Sequence, residues 1–303
     1  MIRRRKPVIE PKKVAHVDAL LCADLHVRSD VPLCRTDDFQ SAMFKKLEFI
    51  FNLCRDNGCP LLCGGDIGHR SQWPNWLIER FMALAEGVKI ISALGQHDLP
   101  GHNLDELPRS ACGVLQRAGV VDFDGDGFLR SHFGQQLPTE SFDLDILLTH
   151  RMVIDGKQDW PGQQCDQAIN LLKQLPFCQL ILSGDNHQSF VVRHDNRLLV
   201  NPGSMMRTTV IQADFKPRVY LWDATANEAS PVFLPIEENV VNRDHIDMSA
   251  VRDERMKAFT ERVKMGYADG VDYLDELQKY FVSNRTWDKT KQKVYQACEM
   301  EAM

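Results

Sequence analysis

Five apolar runs in this chain each end in a cluster of Asp, His or Gln, and that recurrence limits the possible fold more than any other feature. Val17–Ala23 runs into Asp24-Leu25-His26, Pro60–Cys63 into Gly64-Gly65-Asp66 and His69, and Val88–Ala93 into Gly95-Gln96-His97-Asp98. The run over 142–149 ends at His150, and Cys178–Ser183 ends at Gly184-Asp185-Asn186-His187. Short apolar runs closed by glycine read as buried strands. Helical patterns separate them. Over 37–57, Phe39, Met43, Leu47, Ile50, Phe51 and Cys54 form one stripe, with Asp37 and Asp38 near the start and Gly58 at the end. Further helices are expected over 74–86, 104–118 and 164–175, and further strands over 120–124, 127–133, 189–194, 197–201, 217–223 and 230–235. This alternation implies an α/β fold with largely buried sheets.

The domain organisation follows from shifts in character. Residues 1–13 carry six Lys/Arg against one Glu and read as a basic tail. Residues 14–240 hold the alternating pattern. Residues 241–303 turn helical, with amphipathic stretches marked by Phe259 and Val263, by Val271, Leu274, Leu277, Tyr280 and Phe281, and by Trp287, Lys291, Val294, Tyr295 and Cys298.

Composition removes several classes. No stretch approaches the roughly 18 apolar residues that span a bilayer, and no apolar segment follows the basic start as in a cleaved leader. The nine cysteines are odd in number, scattered and free of CxxC pairs. That pattern fits a reducing interior, so a cytoplasmic location is expected. The net charge of −6 disfavours a general polyanion binder. A polyanionic substrate would then be held by local basic groups or by metal ions.

In open α/β sheets ligands bind beyond the carboxyl ends of the strands, so the five clusters are placed to converge on one crevice. Imidazole and carboxylate together suit Mn, Fe or Zn. A single such cluster would read as structural, but five in succession do not.

The order D-x-H, G-D-x-x-H, G-x-H-D, a lone His and a final G-x-x-H resembles that of the calcineurin-like metallophosphoesterases, over about residues 14–225. Asn201-Pro202-Gly203-Ser204 adds to the likeness. The resemblance implies two packed mixed β-sheets flanked by helices, a four-layer α/β/β/α sandwich, here with a C-terminal helical segment. It also implies phosphodiester hydrolysis by a hydroxide held between two divalent cations, Mn²⁺ first, with Mg²⁺, Fe²⁺ or Zn²⁺ as alternatives. Asp24, His26, Asp66 and His187 would hold one cation, and Asp66, Gln96, His150 and Asp185 the other. His97 would face the phosphate or protonate the leaving oxygen, with Asp98 fixing its tautomer and His69 as a second phosphate-facing imidazole. Arg70 and Arg207 are candidate substrate contacts.

Two positions depart from the family pattern. Gln96 stands where the family has Asn, and Asp185 where it has His. Gln96 keeps the amide oxygen, while Asp185 keeps a metal ligand but offers carboxylate oxygen for imidazole nitrogen, adding charge and hardness that favour Mn²⁺ or Mg²⁺.

His69, followed by Arg70, is similar to the DNA double-strand-break repair nucleases of SbcD type. That likeness implies DNA as substrate, an SbcC-type coiled-coil ATPase bound through the C-terminal helices, a homodimer and no membrane. Two other readings stay open: a small-molecule phosphodiesterase or phosphatase, and a weakly active DNA-end-binding scaffold.

Overall fold

The computed structural model describes residues 16–140, 145–157, 164–244, 278, 280–284 and 286–299. The chain divides into two compact units, Met1–Asn242 and Arg243–Met303.

Thirteen strands are described in the first unit: β1 (Ala19–Cys22), β2 (Leu61–Cys63), β3 (Ile90–Ser92), β4 (Val121–Asp122), β5 (Leu129–Ser131), β6 (Asp145–His150), β7 (Val153–Ile154), β8 (Asp166–Gln167), β9 (Cys178–Gly184), β10 (Phe190–His194), β11 (Arg197–Asn201), β12 (Arg218–Asp223) and β13 (Glu228–Phe233). Its helices are α1 (Phe39–Asn57), α2 (Asn75–Leu84), α3 (Ala111–Arg117) and α4 (Ala168–Gln174). One sheet has the order β13-β12-β1-β2-β3-β4, parallel from β1 to β4, with β12 antiparallel to β1. The other has the order β10-β11-β9-β6-β5, parallel except for β10.

Period-two alternation assigns each strand residue to a layer. Leu20, Cys22, Leu61, Cys63 and Ile90 pack with Phe39, Met43, Leu47, Leu77, Phe81 and Leu115 of α1, α2 and α3. Their neighbours Leu21, Leu62 and Ile91 face Leu148, Leu180, Leu182, Leu198 and Val200 of the second sheet. On that sheet's far side Leu147, Ile181 and Leu199 meet Ala168, Leu171 and Leu172 of α4. The result is the expected sequence of helices, sheet, sheet, helix.

Local chemistry sets the helix ends. Asp38 accepts the Ser41 N–H as the N-cap of α1, and Gly58 closes that helix at φ 61°. Asp37 instead pairs with Arg35. The helix expected over 104–118 is split into a 3₁₀ turn over Leu104–Arg109 and then α3, capped by Ser110. Pro108 lies inside the turn and has no N–H to continue an α-helix. The helix expected over 164–175 begins with β8, which pairs with the unexpected β7.

In the second unit, α5 (Asp288–Glu299) is helical as expected. Tyr280 and Phe281 lie in a helical segment, with ring centroids 6.4 Å apart. The basic tail, the stretch around Phe259 and Val263, and Val271, Leu274 and Leu277 lie outside the described residues. Among the described residues no helix is long and apolar enough to cross a membrane.

Candidate metal centre

The carboxyl ends of β1, β2, β3, β6 and β9 deliver the site, and glycine lets the two sheets meet there. A Cβ on Gly64 would lie 2.8 Å from the Ser183 carbonyl carbon, and one on Gly184 would lie 2.5 Å from the Gly64 oxygen. Backbone therefore touches backbone where β2 and β9 end. Asp24, His26, Asp66 and Asp185 adopt left-handed φ values of 49°, 46°, 52° and 74°. Such strain in non-glycine residues persists only where surrounding structure over-determines it, and it gathers at functional sites.

Asp66 is at the centre. Its Oδ1 accepts the His97 N–H at 3.0 Å. Its Oδ2 then faces three imidazole Nε2 atoms: His150 at 3.4 Å, His26 at 3.8 Å and His97 at 4.0 Å. His26 Nε2 and His187 Nε2 approach each other to 3.0 Å, and Asp24 Oδ1 lies 4.0 Å from His26 Nε2. On the other side, Asp185 Oδ1 accepts the Gln96 amide at 2.9 Å and lies 3.9 Å from His150 Nε2. His150 directs Nδ1 to the Gly64 carbonyl at 2.8 Å, which fixes the ring and leaves Nε2 for the cluster.

Divalent cations fit this donor set. Asp24, His26 and His187 offer ligand atoms within 4.8 Å of one another, as do Asp24, Asp66 and His150, and His26, Asp66 and His97. Asp24 Oδ2, His26 Nδ1, Gln96 Oε1 and His150 Nε2 are buried without a hydrogen-bond partner. Buried carboxylates that are neither paired nor coordinated are costly. The local field points the same way. Burial pulls the His150 imidazole down, yet Asp66, with Asp24 and Asp185, more than offsets this and holds it at about 10. Burial raises Asp66, but His150, His26 and His97 bring it to about 2. Asp24 rises to about 6, chiefly through burial.

Other expected site residues fall at the rim or outside it. His97 directs Nδ1 to the His69 carbonyl at 2.9 Å, and its side chain is 39% exposed. The His69 and His97 rings stack with centroids 5.4 Å apart. Burial, with Arg28 and His97 nearby, lowers His69 to about 4. Asp98 does not fix the His97 tautomer; that partner is the His69 carbonyl. Asp98 instead accepts the Gly68 and Gly95 N–H groups, both at 2.9 Å, and so braces two site loops. Arg207 is not open to a phosphate either. It is buried, and its guanidinium donates to the carbonyls of Ala213 and Glu237. Arg70 is 73% exposed and lies 3.7 Å from Asp30.

Two contributors carry no spacing signal. Asn201 gives its amide to the Asn186 and Gln188 carbonyls and so holds the turn that presents Asp185 and His187. Arg28 pairs with Asp30 beside His69. Only the four-residue Asn201–Ser204 likeness pointed toward the first, and nothing in the sequence toward the second.

No curated protein matches this chain in sequence. Among solved structures it is similar to an archaeal phosphodiesterase, at 15% identity over 71% of this chain and 99% of that one, with a TM-score of 0.40. It is also similar to a Thermus thermophilus protein, TT1561, at 14% identity over 72% of this chain and 100% of that one, with a TM-score of 0.45. The family model for calcineurin-like phosphoesterases matches residues 18–189, more than half the chain and the stretch that carries all five strand-end clusters. This chain belongs to the calcineurin-like phosphoesterase family.

Proposed function

We propose that this protein is a metal-dependent phosphodiesterase acting on DNA, the nuclease subunit of a repair or recombination complex with a coiled-coil ATPase. The observation that carries the hydrolytic reading is Asp66, one buried carboxylate facing three imidazole nitrogens and shared by two of the three ligand groups. Asp24, His26 and His187 would hold one divalent cation, and His150, Asp185 and Gln96 the other, with Asp66 shared. When bound, such cations bring the ionisation of water toward neutral pH and offset charge on phosphate oxygens.

The chain's own groups do the rest. With Nδ1 committed to the His69 carbonyl, His97 has Nε2 to offer a substrate. Protonated, that nitrogen donates to the leaving oxygen, as a general acid does. Supporting DNA as substrate is the rim: His69 stacked on His97, with the guanidinium groups of Arg28 and Arg70 beside it. These groups suit a phosphate chain that continues beyond the scissile bond.

The second reading is a phosphodiesterase for small molecules, favoured by a pocket of about 490 Å³ beside Asp185 and His187. The deciding experiment incubates end-labelled single- and double-stranded DNA, and in parallel bis-p-nitrophenyl phosphate, with the full chain and Mn²⁺. We expect Mn²⁺-dependent DNA cleavage that falls about 10²–10⁴-fold in His97→Asn. Turnover of the small diester with intact DNA would favour the second reading. Inactivity toward both would leave a DNA-end-binding scaffold.

A further inference from the structure

The loop after β11 is fixed more firmly than a surface loop requires. Ser204 N–H reaches the His187 carbonyl, and Met205 N–H reaches that of Asp24, tying the loop to two site turns. Lys46 of α1 donates to the Met205 carbonyl, and Arg35 to that of Arg207. Arg207 in turn holds Ala213, six residues on. Within the loop, Gln212 Oε1 accepts the N–H groups of Thr208 and Thr209, and its amide donates to Ser204 Oγ at 2.8 Å.

This rigid frame displays Ile211 at 91% exposure. A single exposed apolar side chain is ordinary, and Ile211 gains meaning from the pocket that it lines. That pocket, of about 490 Å³, opens beside Asp185 and His187. Met152 and Phe215 add apolar surface, while Gln188 and Thr209 offer hydrogen-bonding groups. The Phe215 ring sits over Gly203, where a Cβ would meet it at 3.0 Å and the His187 carbonyl at 2.7 Å. Arg218 supplies a cation, its guanidinium lying over the Phe233 ring.

We propose that this pocket binds the nucleoside part of one nucleotide of the substrate, the base held between Phe215 and Ile211 and the attached phosphate directed toward Asp185 and His187. The proposal rests on the phosphodiesterase reading and names the unit that the site recognises. An apolar slot with amide and hydroxyl groups at its edge suits a planar heterocycle, and the volume suits a single nucleotide. The same chemistry is offered by the end of a polynucleotide and by a free nucleotide.

The test is calorimetric titration of the full chain, in Mn²⁺ buffer, with thymidine 5′-monophosphate and with 2-deoxyribose 5-phosphate, which lacks only the base. Wild type should bind the nucleotide at least tenfold more tightly than the sugar phosphate. Phe215→Ala and Ile211→Ala should each remove most of that preference, by about tenfold for a lost stacking partner. Ile211 is exposed, so its variant folds even if loss of the Phe215 ring disturbs the loop. Leu33→Ala, which removes another exposed apolar side chain outside this pocket, should keep the full preference. Equal binding of the two ligands, or a preference untouched in both pocket variants, would overturn the proposal.

Competition by oligothymidylate would identify a polynucleotide end as the source of the nucleoside, and lack of competition a free nucleotide. The nucleoside pocket stands in either arm. Turnover of end-labelled DNA and of bis-p-nitrophenyl phosphate is read separately. Inactivity toward both, with base-dependent binding intact, would sink the hydrolytic reading and leave the pocket.

Discussion

A methyl group on Gly95 would lie 2.0 Å from Asp66 Oδ1 and 2.7 Å from the Asp66 amide nitrogen. Gly95→Ala must therefore push the shared carboxylate out of place. We expect it to lose most bound metal and about 1–3 kcal/mol of stability, measured by metal analysis and urea unfolding. Lys46 gives a test by pH. Burial, reinforced by Arg35 and Arg207 and opposed by Asp37, holds its ammonium at about 7 instead of 10.5. Above pH 10.5 the amine is neutral in both states. As pH falls from there to 7, only the unfolded chain gains the proton, so stability drops across that window and levels off below it. Wild type should thus gain on Lys46→Met between pH 7 and 10, by at most about 1.4 kcal/mol per pH unit. A constant difference in unfolding free energy would contradict the assignment. At this scale the sequence showed which Asp and His side chains would be brought together, because their spacing after apolar runs is chemical information. It did not expose the partners of Asp98 or Arg207, because those bonds join distant segments and leave no local pattern.

The existence of most strands was legible at the level of elements, but their faces were not. Alternation separates Leu61 and Cys63 from Leu62, and only packing assigns the first two to the helices and Leu62 to the other sheet. Leu62 is wholly buried between the sheets, so Leu62→Ala should cost about 2–5 kcal/mol in urea unfolding. A cost below about 1 kcal/mol would mean that the sheets do not pack there as described. Helix ends were legible where a cap announced them, as at Asp38 and Gly58. They were missed where a single residue overrode an apolar stripe, as Pro108 does. The two-residue strands β7 and β8 carry too short a pattern to be seen, and they exist because tertiary contact pairs them.

Across the molecule, both sheets, α1 to α4 and every expected metal ligand belong to the first compact unit. The net charge of −6 and a polyanionic substrate are compatible if the charge at the crevice is reversed locally. Asp24, Asp66 and Asp185 gather negative potential at one point, and two divalent cations there would turn it positive toward phosphate. For the second unit we propose docking of the coiled-coil ATPase, to which exposed apolar side chains of the unit would contribute. Val282 and Trp287 in it are 79% and 83% exposed. Gln96 and Asp185 supply two of the ligands expected for the second cation, so the pairing of the centre depends on them. The most direct measurement is therefore the metal content of the full chain after loading with Mn²⁺ and desalting, alongside Asp66→Asn. We expect about two ions per chain in the wild type and loss of both in the variant. One ion or none in the wild type would contradict the paired centre.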